Sequence, residues 1–337
     1  MIVRKKAYPR AALIGNPSDG YFGKTISFTF SNFSADVTLY ETPELEIIPN
    51  TRDHSVFGSI DDLIQDVNKF GYYGGIRLLK ASVKRFYEYC RLRGIQLHDR
   101  NFTLRYGSTI PHLVGLAGSS AIITACMKAL MAFYGVSIPK SEHANLILSV
   151  EKEELGITAG LQDRVAQVYQ GLVYMDFDRN LMEGRGYGDY MNLDTDLLPN
   201  VYIAYRAEMA EGSEVFHNNL AYRYQKKEPE LLEAIDRWKS LTDQARECLV
   251  CHKPEKLGAL MNEGFDIRAS LCKISSGNLE MIKLARSCGC SSAFTGSGGA
   301  IAGVFKDKAM YDNLKQTMAE YKIETIIPEI VGPVQEE

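Results

Sequence analysis

The chain has 337 residues, of which 45% are hydrophobic and 24% charged, and its net charge is -4. These values are typical of a soluble globular protein with room for two lobes, and the absence of a basic block argues against nucleic-acid binding. No apolar run is long enough to cross a bilayer, and the basic N-terminus lacks the apolar segment of a signal peptide. We expect a cytoplasmic monomer or homodimer that binds neither nucleic acid nor membrane.

The N-terminal half of the chain alternates segments with strand periodicity and segments with helix periodicity. Glycines at 94, 135 and 156 suit the left-handed position that follows the end of a helix. The predicted order is strands at 11–14 and 25–40, helices at 59–70 and 75–93, a strand at 102–108, helices at 119–134 and 140–155, and a strand at 171–175.

The C-terminal part is mostly helical, with strands before and after the helices. The predicted order is a strand at 201–205, helices at 229–251, 254–273 and 279–286, a strand at 300–305, a helix at 308–321 and a strand at 323–327. Strands with inserted helices, followed by helices with returning strands, favour an α+β fold of two closely packed lobes. The segment 207–225, with its scattered acidic residues, is expected to form a mobile flap.

A glycine- and serine-rich turn at 111–122 opens directly into the helix predicted at 119–134. Small residues let the backbone approach an anion, and the first turn of a helix presents unpaired N–H groups and a positive dipole end. The turn is therefore a candidate phosphate cradle. Ser119 and Ser120 add hydroxyls that suit either a helix cap or a magnesium ion. On spacing alone, an ordinary serine-capped helix start remains the alternative.

Two other patterns fall short of common nucleotide-binding motifs. Gly23-Lys24-Thr25 resembles the end of a P-loop, but Ser18 stands where the motif requires glycine, and a strand follows where the motif needs a helix. Gly296-Ser297-Gly298 begins a dinucleotide fingerprint whose third glycine position holds Ile301. Neither of those folds is supported.

Three separated segments together resemble the signatures of the GHMP kinase superfamily, which includes galactokinase, homoserine kinase and mevalonate kinase. They are 9–19, 111–121 and 295–300, in the family's order and spread over nearly the whole chain. The resemblance implies a two-lobed α+β fold, with a ribosomal-protein-S5-like N-terminal lobe over 1–190 and a ferredoxin-like C-terminal lobe over 191–337. It also implies ATP, Mg²⁺ and phosphoryl transfer to a small molecule.

Within that superfamily, the first segment and the segment 160–169 are similar to the sugar-acid branch, the glucuronokinases. Galactokinases have Glu-His-Thr-Asp where this chain has Asn16-Pro17-Ser18-Asp19. The resemblance implies that the acceptor is the anomeric hydroxyl of D-glucuronate. Galacturonate, galactose or mevalonate as the acceptor, and a regulator that binds ATP without catalysis, are alternatives.

The resemblance also implies which residues hold the nucleotide and its metal ion. Ser120 and Glu151 match the family's magnesium ligands, although Glu151 also fits a solvated helix face and Glu154 competes with it for the role. The glycines near 296 are expected either to close over the phosphates or to brace the turn at 111–122. The predicted phosphate-binding residues are Gly115, Leu116, Ala117, Gly118, Ser119, Ser120, Gly296 and Gly298.

Two residues match the family's catalytic positions. Asp163 would accept the proton of the acceptor hydroxyl or hold the sugar in line, and a helix N-cap is its structural alternative. Arg10 would lie beside Asp163, keep it ionised and offset charge on the transferred group. Its structural alternative is a surface charge at a strand edge.

Substrate recognition is expected to involve one carboxylate and one cation. Asp19 matches the aspartate that holds sugar hydroxyls in galactokinases. A substrate carboxylate would need a cationic partner, and an arginine fork suits it best. The candidates, which the sequence does not rank, are Lys24, Arg164 and Arg206.

Overall fold

A computed structural model of the chain describes residues 1–50, 53, 74–206 and 220–334. Within these residues the named strands form three four-stranded sheets. The strands are β1 (Ile2–Ala7), β2 (Arg10–Ile14), β3 (Lys24–Thr29), β4 (Ala35–Thr42), β5 (Glu46–Ile47), β6 (Asn101–Ser108), β7 (Leu172–Asp176), β8 (Asp189–Leu193), β9 (Val201–Tyr205), β10 (Ala293–Phe294), β11 (Ala300–Val304) and β12 (Glu324–Ile326).

Helices pack against all three sheets. A π-type segment, Val150–Glu154, continues the helix that ends at Ser149, and short 3-10 turns lie at Ser18–Tyr21, Thr195–Leu197 and Pro254–Lys256. The α-helices are α1 (Gly75–Leu92), α2 (Gly118–Tyr134), α3 (Lys140–Ser149), α4 (Gln162–Tyr169), α5 (Arg179–Arg185), α6 (Pro229–Val250), α7 (Leu257–Leu271), α8 (Ser276–Ser287) and α9 (Lys308–Glu320). None of the described helices is long and apolar enough to cross a membrane.

The first sheet has the strand order β1-β4-β6-β5 and carries α2 on one face. Buried side chains alternate along β4, where Val37 and Leu39 lie two positions apart, as one covered face requires. α2 contains many small and apolar residues and also contacts α1 and α4, so it lies inside the N-terminal lobe. Its first turn therefore starts from a rigid support.

The second sheet, β2-β3-β7-β8, lies where the two halves of the chain meet. Every residue of β2 and all of β3 except Lys24 are buried, which indicates that both faces of these strands are covered. α4 from the N-terminal half and α6 from the C-terminal half both contact β3. Residues at the start of β2 are thus enclosed between the two lobes.

The third sheet, β10-β11-β9-β12, belongs to the C-terminal part and has a hydrophobic cluster of its own. Tyr202, Met281 and Leu314 from β9, α8 and α9 are buried in this cluster. A second, larger cluster fills the N-terminal lobe and continues into α6 and α7. The predicted α+β organisation of two closely packed lobes is confirmed.

The observed elements differ from the sequence predictions in several places, and β5, β10 and α5 are among the elements not predicted. The strand predicted at 25–40 is two strands, β3 and β4, which belong to different sheets. β1 and β8 were not predicted, because most of their side chains are exposed or only partly buried and give little hydrophobic alternation. The helix predicted at 59–70 and the 207–219 part of the flap lie outside the described residues. The boundary predicted after residue 190 falls inside β8, and we propose that it follows this strand.

Candidate active site

The turn before α2 has an unusual backbone that exposes N–H groups. The angle φ is positive at Leu113 (56°), Gly115 (72°) and Ala117 (60°) and not at the residues between them. Successive residues of opposite hand make a concave nest of N–H groups that binds anions. A left-handed alanine costs of the order of 1 kcal/mol, and such strain concentrates at functional sites. α2 begins with no side-chain cap, so its first N–H groups are also available to a phosphate.

The second glycine-rich turn, at 295–299, packs against the first, backbone to backbone. A Cβ added to Gly115 would lie 2.7 Å from the carbonyl oxygen of Gly298, and one added to Gly299 would lie 2.9 Å from Val114 Cα. Thr295 Oγ1 donates a hydrogen bond to the carbonyl oxygen of Gly115 at 3.2 Å. These contacts fit the brace, one of the two roles that the sequence left open for these glycines, and closure over the phosphates stays a prediction.

Arg268 of α7 donates hydrogen bonds to the second turn, and it was not predicted from the sequence. Its Nη1 donates to the carbonyl oxygen of Gly296 at 2.8 Å and its Nη2 to that of Ser297 at 3.3 Å. Burial lowers the pKa of Arg268 to about 10, so the side chain stays charged at neutral pH. The available signal was helical spacing, because Arg268 follows Met261 and Phe265 on the buried stripe of α7.

Arg10 and Asp163 form an ion pair beside the two turns. Arg10 is the first residue of β2 and is 3% exposed. Its Nη2 donates to Asp163 Oδ1 and its Nη1 to the carbonyl oxygen of Thr295. Asp163 is the second residue of α4, whose N-cap is Leu161, so the N-cap alternative for Asp163 does not hold. The Asp163 side chain is 21% exposed and therefore within reach of a bound molecule.

Glu151 and Arg164 form a second ion pair, which touches the first. Glu151 lies in the π-type segment after α3 and is 1% exposed. Its Oε2 accepts a hydrogen bond from Arg164 Nη2, and its Oε1 accepts one from Ser119 Oγ at 2.8 Å. Arg164 Nη1 donates to the carbonyl oxygen of Gly160 at 2.8 Å and lies 3.2 Å from Asp163 Oδ2. The two pairs therefore form one buried cluster.

Asp19 lies next to this cluster, in the short helical turn after β2. Its Oδ2 accepts the N–H of Gln162 at 3.3 Å, and its carboxylate packs directly on Gly160, where an added Cβ would require the carboxylate to move. Burial raises the pKa of Asp19 to about 6, and the nearby charge of Asp163 adds to the shift. The Gln162 N–H and the two arginines of the cluster limit the shift.

The three cations proposed for a substrate carboxylate already contact carboxylates of the protein. Lys24 Nζ lies 2.9 Å from Asp243 and 3.2 Å from Asp176, and it links the start of β3 to β7 and α6. Arg206 Nη2 lies 3.0 Å from Glu280. Arg164, described above, contacts two carboxylates. Of the three, the structure brings only Arg164 into the cluster beside Asp163.

Comparison with known proteins identifies the family. Residues 77–171 match the GHMP kinases N terminal domain. Glucuronokinase 1 and Probable glucuronokinase 2 of Arabidopsis thaliana are each 42% identical to the chain over 89% of its length, and the matches cover 84% and 83% of these relatives. The chain belongs to the GHMP kinase family. The prediction of a small-molecule kinase, made from three short segments, is confirmed.

Solved structures of GHMP kinases share the fold over nearly the whole chain. The galactokinase of Lactococcus lactis, complexed with galactose, superposes with a TM-score of 0.77 at 15% identity and covers 99% of this chain and 95% of its own. The mevalonate kinase of Methanococcus jannaschii gives a TM-score of 0.72 at 18% identity, with 98% of both chains covered. The predicted GHMP kinase fold is therefore confirmed.

In this GHMP kinase the two adjacent serines of α2 have different partners. Ser120, the serine predicted near magnesium, is buried, and its Oγ donates to the carbonyl oxygen of Ala117 at 3.1 Å. Ser119 is the serine that contacts Glu151. Glu154, the competitor of Glu151, instead pairs with Lys84 at 2.6 Å on the surface.

A magnesium ion fits the oxygen donors beside the phosphate turn. The Ser119 hydroxyl and the Glu151 carboxylate are hard ligands 2.8 Å apart, and Mg²⁺ is commonly held by one or two carboxylates together with substrate phosphates. Among the described residues no three His, Cys, Asp or Glu side chains group into a metal site, so the phosphates would complete the coordination. Arg164 occupies the second oxygen of Glu151.

Proposed function

We propose that this GHMP kinase transfers the γ-phosphoryl group of ATP to the anomeric hydroxyl of D-glucuronate. The reaction type rests on one observation, a partly open carboxylate, Asp163, held by Arg10 beside a turn of unpaired N–H groups. The acceptor is supported by the 42% identity to two relatives named as glucuronokinases. The chain has seven cysteines, an odd number, scattered along the sequence. This pattern favours free thiols in a reducing compartment, and we propose the cytoplasm.

The residues divide the work of phosphoryl transfer. The N–H groups of 115–120 would hold the β- and γ-phosphates, since a helix N-terminus favours negative charge. Glu151 and Ser119 would hold Mg²⁺, which neutralises phosphate charge when bound. Asp163 would accept the proton of the acceptor hydroxyl or align that hydroxyl with the γ-phosphorus. Arg10, which pairs with Asp163, would favour its charged form and would offset charge developing on the transferred group.

Asp19 is proposed to hold hydroxyl groups of the sugar. Its carboxylate lies beside the Asp163 cluster and is ionised above a pH of about 6, so at neutral pH it accepts hydrogen bonds. A carboxylate at this position selects acceptors with hydroxyls near the reacting one. The substrate carboxylate would share a cation with the protein, because Lys24, Arg164 and Arg206 each contact a carboxylate already.

The test is ADP release from magnesium-ATP with a panel of acceptors: glucuronate, galacturonate, galactose, glucose, mevalonate and none. We expect turnover with glucuronate at least tenfold above every other acceptor, and a product phosphorylated at the anomeric carbon. Preferential turnover of another acceptor would show that glucuronate is not the substrate, and phosphoryl transfer from ATP would still be the reaction. ATP binding without ADP release on any acceptor would favour the non-catalytic regulator.

A further inference from the structure

Arg164 contacts two carboxylates with proposed roles, Glu151 for the metal ion and Asp163 for catalysis. Its Nη2 donates to Glu151 Oε2, and its Nη1 lies 3.2 Å from Asp163 Oδ2. The same Nη1 donates to the carbonyl oxygen of Gly160 at 2.8 Å, and the side chain is 4% exposed. Arg164 directly follows Asp163 in α4, and adjacent helix positions point about 100° apart, so it is the length of the arginine side chain that lets Nη1 reach Asp163 Oδ2.

Burial makes this contact electrostatically necessary. A carboxylate on a side chain that is only 2% exposed, such as that of Glu151, is strongly destabilising unless a cation or several donors compensate for its lost hydration. Arg164 supplies that charge in the structure, and an arginine does not lose its proton in proteins. Ser119 supplies the second donor. Both carboxylate oxygens of Glu151, the candidate metal ligand, therefore already accept hydrogen bonds.

A divalent cation at Glu151 would stand next to the guanidinium, and two positive charges at one buried carboxylate repel each other. We propose that Arg164 is a positioning residue that holds Glu151 in the absence of nucleotide and is displaced from it when a divalent cation arrives with the nucleotide. The displaced guanidinium keeps its contacts with Gly160 and Asp163 and loses the Glu151 carboxylate, so metal loading changes how its positive charge is shared with Asp163. This inference rests on the proposed roles of Glu151 and Asp163.

The experiment measures Mn²⁺ binding, by electron paramagnetic resonance titration of the full chain with ADP present and no acceptor sugar. Removal of a competitor should tighten binding, so we expect Arg164→Gln to lower the dissociation constant of Mn²⁺ by about fivefold or more while kcat falls. Arg164→Lys keeps the charge on a single ammonium that holds Glu151 less firmly. We expect it to tighten binding by a smaller factor and to restore part of kcat, so it keeps the test decisive if Arg164→Gln does not fold.

Two controls complete the design. Arg223→Gln removes an arginine that pairs with Glu228 at 2.6 Å in the C-terminal part, and it should leave Mn²⁺ binding unchanged. Glu151→Gln should weaken Mn²⁺ binding, because it removes the ligand itself. Unchanged or weaker binding in both Arg164 variants would overturn the proposal, as would normal binding in Glu151→Gln. Since no acceptor is present, these outcomes are independent of whether glucuronate is the substrate.

Discussion

Two charged clusters of this kinase are made of similar residues and have different surroundings. The first, the catalytic cluster, consists of Arg10, Glu151, Asp163 and Arg164, and both of its arginine side chains are 4% exposed. The second, the lobe-junction cluster, consists of Lys24, Asp176 and Asp243, whose side chains are 22%, 23% and 48% exposed. Charges interact strongly where water is excluded and weakly where it screens them.

The location of each cluster explains the difference in residue type. The catalytic cluster lies beside backbone N–H groups and uses arginine, whose planar fork holds two acceptors in fixed directions. The lobe-junction cluster uses lysine, a flexible point charge that tolerates small movements between β3, β7 and α6. A cation that lies near the site residues in sequence can therefore belong to the catalytic cluster or hold the two lobes together. The carboxylates that it contacts in the structure determine which.

The largest effect is expected for Asp163→Asn in the catalytic cluster. Asparagine keeps the shape of the side chain but does not accept a proton, so kcat should fall by about 10²-fold or more. Affinity for ATP should change by no more than about threefold, because the N–H groups of 115–120 are untouched. Steady-state kinetics with calorimetric ATP binding measures both quantities. Near-normal turnover in a folded variant would remove Asp163 from the catalytic role.

An intermediate effect is expected from the titration of Asp19, which adjoins the catalytic cluster. Burial raises the pKa of Asp19 to about 6, so the carboxylate becomes neutral as the pH falls below that value and accepts fewer hydrogen bonds. We expect kcat/KM for the acceptor to fall up to tenfold for each pH unit below about 6. Asp19→Asn should raise KM about tenfold and remove this part of the pH profile. If the variant keeps the same profile, another group titrates there.

The local parts of the site could be predicted because local sequence determines them. Gly115 and its neighbours predict a tight turn before α2. The periodicity of hydrophobic residues predicts most of the helices and strands. The pairing of Arg10 with Asp163, 153 residues apart, followed only from resemblance to a known family. No periodicity connects residues that distant.

The remaining parts depend on orientation and on long-range contacts. Ser119 and Ser120 are adjacent, but successive helix positions point about 100° apart, so only the three-dimensional structure shows which one faces Glu151. Lys24 and Asp243 are 219 residues apart, and nothing near Lys24 in sequence reveals that partner. Arg268 was missed because charged side chains are usually exposed. Here the side chain is buried, and the carbonyl oxygens of the second glycine-rich turn accept its hydrogen bonds.

The smallest effect on activity is expected for Lys24→Met in the lobe-junction cluster. Because Asp176 and Asp243 already neutralise Lys24, KM for glucuronate should change by less than about twofold. Loss of the ion pairs should lower the free energy of unfolding by about 1 kcal/mol, measured by urea denaturation, since partly exposed pairs contribute little. Asp243→Asn is the matched control. It removes one of the two carboxylates that contact Lys24, so it should lower the free energy of unfolding by a smaller amount. A tenfold rise in KM for glucuronate, without a matching rise for an uncharged sugar, would instead make Lys24 the partner of the substrate carboxylate.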